Sequence, residues 1–295
     1  MRHLRTIRAV IAVTVTAGIL TACSTTPAPP KPKPPVSYYV ALGDSLSLGV
    51  QPNADGVTVP TEQGYPDQLY ATLHRNRPGL RLVHLGCSGE TTKTMLNGGI
   101  CQYPGGSQLA AATAFLRAHR GHVFLVTIDI GANDPQDCVQ SKGIALISAC
   151  IIAMPEAAVN LARILKALRA AAGPGVRIAG MSYYLPELSV WRNGILGQVL
   201  ARTSEGLAAS YNTLLAGVYS RAGDRVANVF GAFDTSDFGS MEAVPGVGTI
   251  PRNLALLCEW TWQCAPAPRG PNEHANATGY AVIANAFLRV LDTKD

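Results

Sequence analysis

The amino-acid sequence predicts an α/β protein: a three-layer α/β/α fold built around about five parallel strands. Three observations predict it. Of the 295 residues, 47% are hydrophobic and 15% are charged, a composition typical of a globular chain with a sizeable core. Short apolar runs alternate with helix-like segments, as in βαβ units. The run HVFLVTIDI at 122–130 is almost continuously apolar and rich in β-branched residues, as expected of a central strand covered on both faces.

Each predicted element has its own signal. The clearest helix is PEAAVNLARILKALRAAA at 155–172, with proline at its first turn and Gly173 just past its end. No repeat or linker interrupts 37–295, which predicts a single domain there. The predicted strands are 37–42, 81–85, 122–130, 176–183 and 226–230, and the predicted helices are 65–74, 155–172, most of 191–219, and 277–291.

The first 22 residues predict an export signal. Three arginines precede an apolar run of only 12 residues, 9–20, which is short for a membrane-spanning helix. The run ends in Leu-Thr-Ala-Cys, which resembles the bacterial lipobox and makes Cys23 the predicted lipidation site. A plain secretory signal followed by a chance cysteine is the alternative.

Residues 23–36 predict a tether between the lipidated cysteine and the domain, because six prolines there favour an extended chain. We therefore expect an exported protein anchored by lipid to the outer face of the bacterial cell membrane, or partly released from it. The signal contains three of the 24 Lys and Arg residues and none of the 19 acidic residues, so its removal lowers the formal net charge from +5 to +2 (21 − 19). So small a charge does not indicate a nucleic-acid partner.

Six further cysteines in an exported chain predict disulfides. Fifteen connectivities are possible in principle, and the separations of 14, 12 and 6 residues favour pairing of nearest neighbours. A zinc site is the rival interpretation, but the chain has no C-x-x-C and no histidine near a pair at ligand spacing, so no metal is predicted. The favoured pairs are Cys87–Cys101, Cys138–Cys150 and Cys258–Cys264.

Polar, glycine-containing segments follow three of the predicted strands. Because the carboxyl ends of parallel strands meet at one edge, where ligands bind, this edge is the predicted site. Taken singly, each segment has a plain alternative: Ser45 as a helix cap, Gly89 as a turn glycine and Asn133 as a turn former. The segments are 43–45, 86–89 and 131–134.

His274 is the candidate base among the six histidines. It stands in NEHANATGY, 272–280, a polar loop before the last predicted helix that can return to the sheet edge. A loop histidine taken alone is more often a surface residue. The others fall in the signal, within predicted elements or at the amino end of the central strand.

The four segments together resemble the SGNH or GDSL hydrolase family, whose four blocks occur here in order between residues 39 and 280. Ser45 in GDSLS matches the nucleophile, Gly89 in CSGETT the oxyanion glycine, Asn133 in GAND the oxyanion asparagine, and His274 in HANATGY the base. The resemblance implies a flavodoxin-like fold and an acyl-enzyme on Ser45. It also implies an oxyanion hole made by the N–H groups of Ser45 and Gly89 and the Asn133 side chain, and no cofactor.

One position departs from the family pattern. The family usually places an aspartate three residues before the histidine, where this chain has Pro271. We favour a Ser–His dyad oriented by a backbone carbonyl of the loop 259–271, as the resemblance to extracellular, actinobacterial-type members with three local disulfides implies. The carboxylates that are alternative orienting groups are Asp237, Asp234 and Glu273.

By that resemblance we expect a serine esterase or lipase, acting as a monomer on an acyl lipid or an acylated glycan. A carbohydrate acetyl esterase acting on polysaccharide is the first alternative. A non-catalytic binding protein on the same fold is the second, since fold does not dictate function. Retention of all four motif residues argues against a binding protein, which has no need of them.

Overall fold

The computed structural model describes residues 34–135 and 144–292. Within these ranges the strands are β1 (Ser37–Gly43), β2 (Gln51–Pro52), β3 (Thr58–Val59), β4 (Leu80–His84), β5 (Val123–Asp129), β6 (Arg177–Met181), β7 (Arg225–Ala227), β8 (Met241–Val244) and β9 (Gly248–Pro251). Five of them form one parallel sheet in the order β4-β1-β5-β6-β7, and helices flank it, which confirms the predicted fold class. The unit that begins at Pro34 contains this sheet and its hydrophobic core.

The helices lie on both sides of the sheet. On one side α1 and α8 pack together, with Tyr65 stacked on Phe287 at 4.8 Å between ring centroids. On the other side α3 contacts α4, and α4 contacts α5. The helices are α1 (Tyr65–Asn76), α2 (Thr92–Asn97), α3 (Gln108–Ala118), α4 (Ile144–Ala172), α5 (Gly194–Arg221), α6 (Val229–Ala232), α7 (Arg252–Trp260) and α8 (Ala277–Asp292), with a 3-10 helix at Pro186–Asn193 before α5.

The centre of the sheet positions the predicted site. β1 lies between β4 and β5, and Gly43, its last residue, is in register with Asp129, the last residue of β5. Residues Tyr39–Leu42 and Leu125–Asp129 are buried, as expected for central strands that are covered on both faces. The exits of β4, β1 and β5 are therefore neighbours at one edge.

Most predicted element boundaries differ from the observed ones by one or two residues, and two larger differences have a physical cause. α4 begins at Ile144, well before the predicted start, and keeps Pro155 inside the helix. Pro155 removes one backbone hydrogen bond and crowds the carbonyl four residues earlier, so the packing of this helix against α3 and α5 outweighs the cost of the proline. β7 ends at Ala227, short of the predicted 230, because the Asn228 side chain accepts the Gly231 N–H and caps α6.

Two of the favoured disulfides are present: Cys87–Cys101 and Cys258–Cys264. The predicted Cys138–Cys150 bond lies outside the described residues, as do the predicted signal 1–22, Cys23 and the tether up to residue 33. No helix in the described ranges has the length and hydropathy needed to cross a bilayer.

Candidate active site

The segment after β1 forms a tight turn that presents Ser45. Asp44 Oδ1 accepts the Leu46 N–H at 2.9 Å, and the Ser47 hydroxyl donates to the Asp44 carbonyl at 2.7 Å. Asp44 and Ser47 thus supply the capping hydrogen bonds of this turn. Ser45 is partly exposed, and among the described residues neither its hydroxyl nor its N–H has a hydrogen-bond partner. The Ser45 hydroxyl and N–H can therefore meet a ligand.

Hydrogen bonds to the last residue of β5 hold the turn against the sheet. Gly43 has a φ of +132°, and a Cβ there would lie 2.1 Å from the Asp129 carbonyl oxygen, so only glycine fits. The buried Asp129 carboxyl accepts the N–H groups of Asp44 at 3.2 Å and Ser47 at 3.1 Å on Oδ2. Its Oδ1 accepts the Tyr65 hydroxyl at 2.6 Å. The Asp129 side chain therefore connects β5 and α1 by hydrogen bonds to the turn that carries Ser45.

Asp44 and Asp129 form a buried carboxyl pair. Burial raises the pKa of Asp44 to about 6. Burial, and next the nearby charge of Asp44, raise the pKa of Asp129 well above its ordinary value. Burial and their mutual repulsion therefore disfavour the state in which both carboxyls are ionised.

Asp129→Ala is expected to lower the free energy of unfolding by about 2 kcal/mol, because it leaves the buried Ser47 N–H without an acceptor and removes the acceptor that lies 2.6 Å from the Tyr65 hydroxyl, at about 1–3 kcal/mol for each unsatisfied group. The Asp44 N–H keeps the Asp129 backbone carbonyl at 3.0 Å. Chemical denaturation monitored by circular dichroism measures this. The matched control Asp129→Asn keeps the side-chain shape and one acceptor oxygen, and should lose less. An alanine variant within 0.5 kcal/mol (about the effect of an ordinary surface substitution) would remove Asp129 from this role.

Gly89 lies in a turn that follows β4, closed by the Glu90 N–H donating to the Cys87 carbonyl at 3.1 Å. Its φ of +79° favours glycine, and a Cβ there would meet nothing within 4 Å, so conformation and not crowding selects this residue. Among the described residues its N–H has no hydrogen-bond partner, and the residue is exposed. The Cys87–Cys101 bond fixes the loop that presents it.

Asn133 follows β5 and is held against the Gly89 loop. Its Nδ2 donates to the Glu90 carbonyl at 2.9 Å. A second link comes from the neighbouring Asp134, whose carboxylate accepts the Thr92 N–H at 2.9 Å. Because Glu90 directly follows Gly89, these bonds bring the Asn133 amide next to the Gly89 peptide.

Gln108, at the start of α3, joins the exit of β1 to that of β4. It is buried, its Oε1 accepts the Gly43 N–H at 2.8 Å, and its Nε2 donates to the Gly43 carbonyl at 2.9 Å and to Glu90 Oε2 at 3.2 Å. The Cys87 N–H also donates to the Gly43 carbonyl, at 3.0 Å. The exits that carry Ser45, Gly89 and Asn133 are thus directly hydrogen-bonded to one another.

The His274 loop docks on the segment that follows the Ser45 turn. The Trp262 N–H donates to the His274 carbonyl at 3.0 Å, and the Trp262 indole donates to Gln51 Oε1 at 3.3 Å. From the first turn of α8, the Tyr280 hydroxyl donates to the Val50 carbonyl at 2.9 Å. These bonds hold the loop, clamped by Cys258–Cys264, at the same edge as the Ser45 turn.

Asn272 orients the His274 ring. Its Oδ1 accepts the backbone N–H of His274 at 3.0 Å and lies 2.9 Å from ring Nδ1. Because a backbone N–H can only donate, the amide atom that faces it is oxygen, and Nδ1 must carry the ring proton. The lone pair of the neutral ring is then on Nε2. Burial lowers the pKa of His274 to about 4, so the ring is neutral at neutral pH.

The three carboxylates considered as orienting groups lie elsewhere. Asp234 is 2.8 Å from the Arg252 guanidinium, and the Asp237 carboxylate accepts the N–H groups of Gly239 and Ser240. Glu273 is exposed, and its one hydrogen bond to the described part of the chain is at the backbone carbonyl, which accepts the Tyr184 hydroxyl at 2.8 Å. Neither these carboxylates nor a backbone carbonyl of 259–271 is hydrogen-bonded to ring Nδ1. The group that is hydrogen-bonded to it is the side-chain amide of Asn272, two residues before the histidine.

A local sequence signal for Asn272 exists. An asparagine side chain commonly accepts the N–H two residues on, forming an Asx turn, and Asn272 stands at that position relative to His274. Gln108 and the role of Asp129 have no such signal, because each depends on contacts with residues distant in sequence.

The edge combines a serine hydroxyl, a neutral imidazole and N–H donors, the groups that acyl transfer requires. Within the described ranges, no group of three or more His, Cys, Asp or Glu side chains is arranged to hold a metal ion.

Comparison with known proteins gives one family and one fold. The model of the GDSL-like Lipase/Acylhydrolase family matches residues 41–282. Comparison with curated proteins finds no match. Among solved structures, an extracellular lipase from Streptomyces rimosus is similar with a TM-score of 0.54 and 20% identity, covering 87% of this chain and 99% of that one.

Two further structures share the fold. Phospholipase A1 from Streptomyces albidoflavus NA297 has a TM-score of 0.54 and 20% identity, covering 88% of this chain and 100% of that one. A variant of an acetyl-xylooligosaccharide esterase from Geobacillus stearothermophilus has a TM-score of 0.53 and 15% identity, covering 88% and 95%. At these identities the likeness shows the fold alone.

Proposed function

We propose that the chain, which belongs to the GDSL-like lipase/acylhydrolase family, is a serine hydrolase of carboxylic esters. In this proposal Ser45 is the nucleophile and His274 is the base. One observation carries the proposal most directly. Asp44 and Ser47 make the hydrogen bonds that cap the turn, and the hydroxyl of Ser45 between them stays unpaired among the described residues. A serine needed only for folding would be expected to use its hydroxyl.

The proposed reaction is acyl transfer to water. His274 Nε2 takes the hydroxyl proton of Ser45 as Oγ attacks the ester carbonyl, and the resulting oxyanion accepts hydrogen bonds from the N–H groups of Ser45 and Gly89 and from the Asn133 amide. The alcohol leaves with the proton held by His274, which leaves the acyl group on Ser45. Water, deprotonated by His274, then attacks the acyl-enzyme. The bond between the acyl group and Ser45 Oγ breaks, His274 returns the proton to Oγ, and the acid is released.

Asn272 replaces the carboxylate usual in the family as the orienting group. An amide oxygen fixes the ring and its tautomer but supplies no negative charge to stabilise the imidazolium. We therefore infer a Ser–His dyad positioned by a neutral side chain. This arrangement fits the lowered pKa of His274, about 4, whose cause is burial.

Asn272→Asp is expected to shift the pH dependence of kcat/KM. A histidine base works only when neutral, so with a His274 pKa of about 4 activity should persist at mildly acidic pH and fall only as pH approaches about 4. A carboxylate at 272 would raise the pKa of His274 and move this acid limb upward by about one to two pH units. Asp234→Asn, the control, should leave the limb in place. An unmoved limb in Asn272→Asp would contradict the assignment.

Asn133→Ala is expected to lower kcat by about two to three orders of magnitude with KM little changed, because an oxyanion donor acts mainly in the transition state. Thr92→Val is a matched control. It removes a hydroxyl that donates to Asp134 across the same pair of loops without removing a proposed oxyanion donor. That control should lose less than tenfold. Equal losses of kcat in the two variants would show that Asn133 acts only by packing the two loops together.

The substrate class is tested by hydrolysis of p-nitrophenyl esters from acetate to palmitate. A preference for long chains supports a lipase, and activity confined to acetate supports a carbohydrate acetyl esterase. A folded protein inactive on every ester and on acetylated glycans would favour the non-catalytic alternative.

We also propose that the protein is exported, which the bonds Cys87–Cys101 and Cys258–Cys264 support. The signal peptide, lipidation of Cys23 and the monomeric state stay predictions.

A further inference from the structure

Helix α5 extends past the sheet that it covers. It has 28 residues and is therefore about 42 Å long. Its C-terminal part packs on the strands: a Cβ at Gly180 in β6 would lie 2.0 Å from the Tyr219 ring. Tyr211, further toward the amino end, already reaches the exit of β5, where its hydroxyl donates to the Gly131 carbonyl at 2.9 Å. The part from Gly194 to about Ser210 thus projects beyond the edge that carries Ser45.

The projecting part presents an apolar face to solvent. Its exposed apolar residues, called here the apolar stripe, are Ile195 (83% exposed), Leu196 (71%), Val199 (55%), Leu200 (50%) and Leu207 (47%). Their spacing puts them on one side of the helix. Thr203, Gly206 and Ser210 share that side, so it carries no charge over about four turns.

The opposite side of the same helix segment is packed. A Cβ at Gly197 would lie 2.0 Å from the Val190 carbonyl oxygen, so the 3-10 helix covers that side closely. The stripe is therefore a second apolar face, separate from the one that folding buries. An apolar patch of a few hundred Å² is about the largest that a typical monomer exposes, and such patches are often functional.

Charge indicates the kind of partner. Arg192 precedes the stripe, and Arg202 lies beside it with its guanidinium 5.1 Å from the Trp191 ring centroid. The nearest acid on the helix, Glu205, accepts the Ser236 hydroxyl on another side. An apolar helical face with a basic margin matches the anionic surface of a lipid layer. The stripe's area, on the order of 500 Å², is below the ~800 Å² per partner of a stable protein interface.

We propose that the apolar stripe docks on lipid surfaces, with its side chains among the acyl chains and Arg192 and Arg202 at anionic headgroups. This docking brings the edge that carries Ser45 to the lipid surface. It concerns binding and does not require that the protein hydrolyse esters.

The test is co-sedimentation with vesicles of phosphatidylglycerol mixed with phosphatidylcholine, and of phosphatidylcholine alone. The protein is residues 34–295, which contain the whole sheet and core, with Ser45→Ala so that no lipid is cleaved. Leu196→Ser with Leu200→Ser should lower the partition coefficient at least about tenfold. Arg192→Gln with Arg202→Gln should weaken binding to the anionic vesicles selectively.

The matched control is Val159→Ser, which removes a 62% exposed apolar side chain from α4, where Glu156 and Arg163 flank it on a charged face. It should bind as the parent does. Absence of binding by the parent, or equal binding by the double leucine variant, would overturn the proposal. So would a dimer, seen by light scattering, that the leucine changes dissociate. Hydrolysis of soluble p-nitrophenyl acetate, measured without Ser45→Ala, reports separately on the proposed function.

Discussion

Ser45→Ala is expected to lower kcat for ester hydrolysis by on the order of 10⁶-fold, the effect typical of removing the nucleophile of a serine hydrolase. The fold should be retained, because the Ser45 side chain makes no hydrogen bond to the described residues. Steady-state hydrolysis of the best p-nitrophenyl ester, with circular dichroism of the same sample, measures both effects.

Ser47→Ala is the matched control, because it removes the second hydroxyl of the same motif. That hydroxyl donates to the Asp44 carbonyl, so its loss should reduce stability by about 1 kcal/mol while the folded fraction keeps turnover within about tenfold of the parent. A Ser45→Ala enzyme with substantial activity, or a Ser47→Ala enzyme with the larger loss, would contradict the assignment of the nucleophile.

His274→Ala is expected to have an effect of similar size, since a serine hydroxyl attacks poorly without its base. Residues that act as a unit are non-additive, so the double variant Ser45→Ala with His274→Ala should be no less active than either single variant. The same kinetic assay on three variants provides the test.

A result in which the two losses multiply would mean that the residues act independently. His84→Ala serves as the control: this histidine lies on β4 and pairs with Asp67 at 3.0 Å, so its loss should leave turnover nearly unchanged.

Features of the fold and of the site could be predicted from the sequence when the interactions that produce them are between residues close together in the chain or follow from strand topology. The carboxyl edge of the sheet, and with it Ser45, Gly89 and Asn133, followed from strand topology, because parallel strands end at one edge whatever the packing above them. The two observed disulfides close short loops and follow from separation along the chain.

Other features depended on contacts between distant segments. Asp129 lies in an apolar run that predicts a buried strand correctly, but the N–H groups that it accepts belong to the turn after β1. The packing of the 3-10 helix on α5 depends on Gly197, where a Cβ would lie 2.0 Å from the Val190 carbonyl oxygen, and composition does not encode that contact. Asn272 is intermediate: its Asx turn is local, but the predicted orienting groups were a backbone carbonyl of 259–271 or, as alternatives, three carboxylates.

The most direct measurement of the central claim is the mass of the intact protein after reaction with a fluorophosphonate. The Ser45 oxygen would displace fluoride from phosphorus and keep the phosphonyl group, a stable analogue of the acyl-enzyme. We expect one adduct per chain, located on Ser45 by peptide mapping, absent from Ser45→Ala and much slower to form in His274→Ala. A folded protein that forms no adduct, or one labelled on another residue, would contradict nucleophilic catalysis by Ser45.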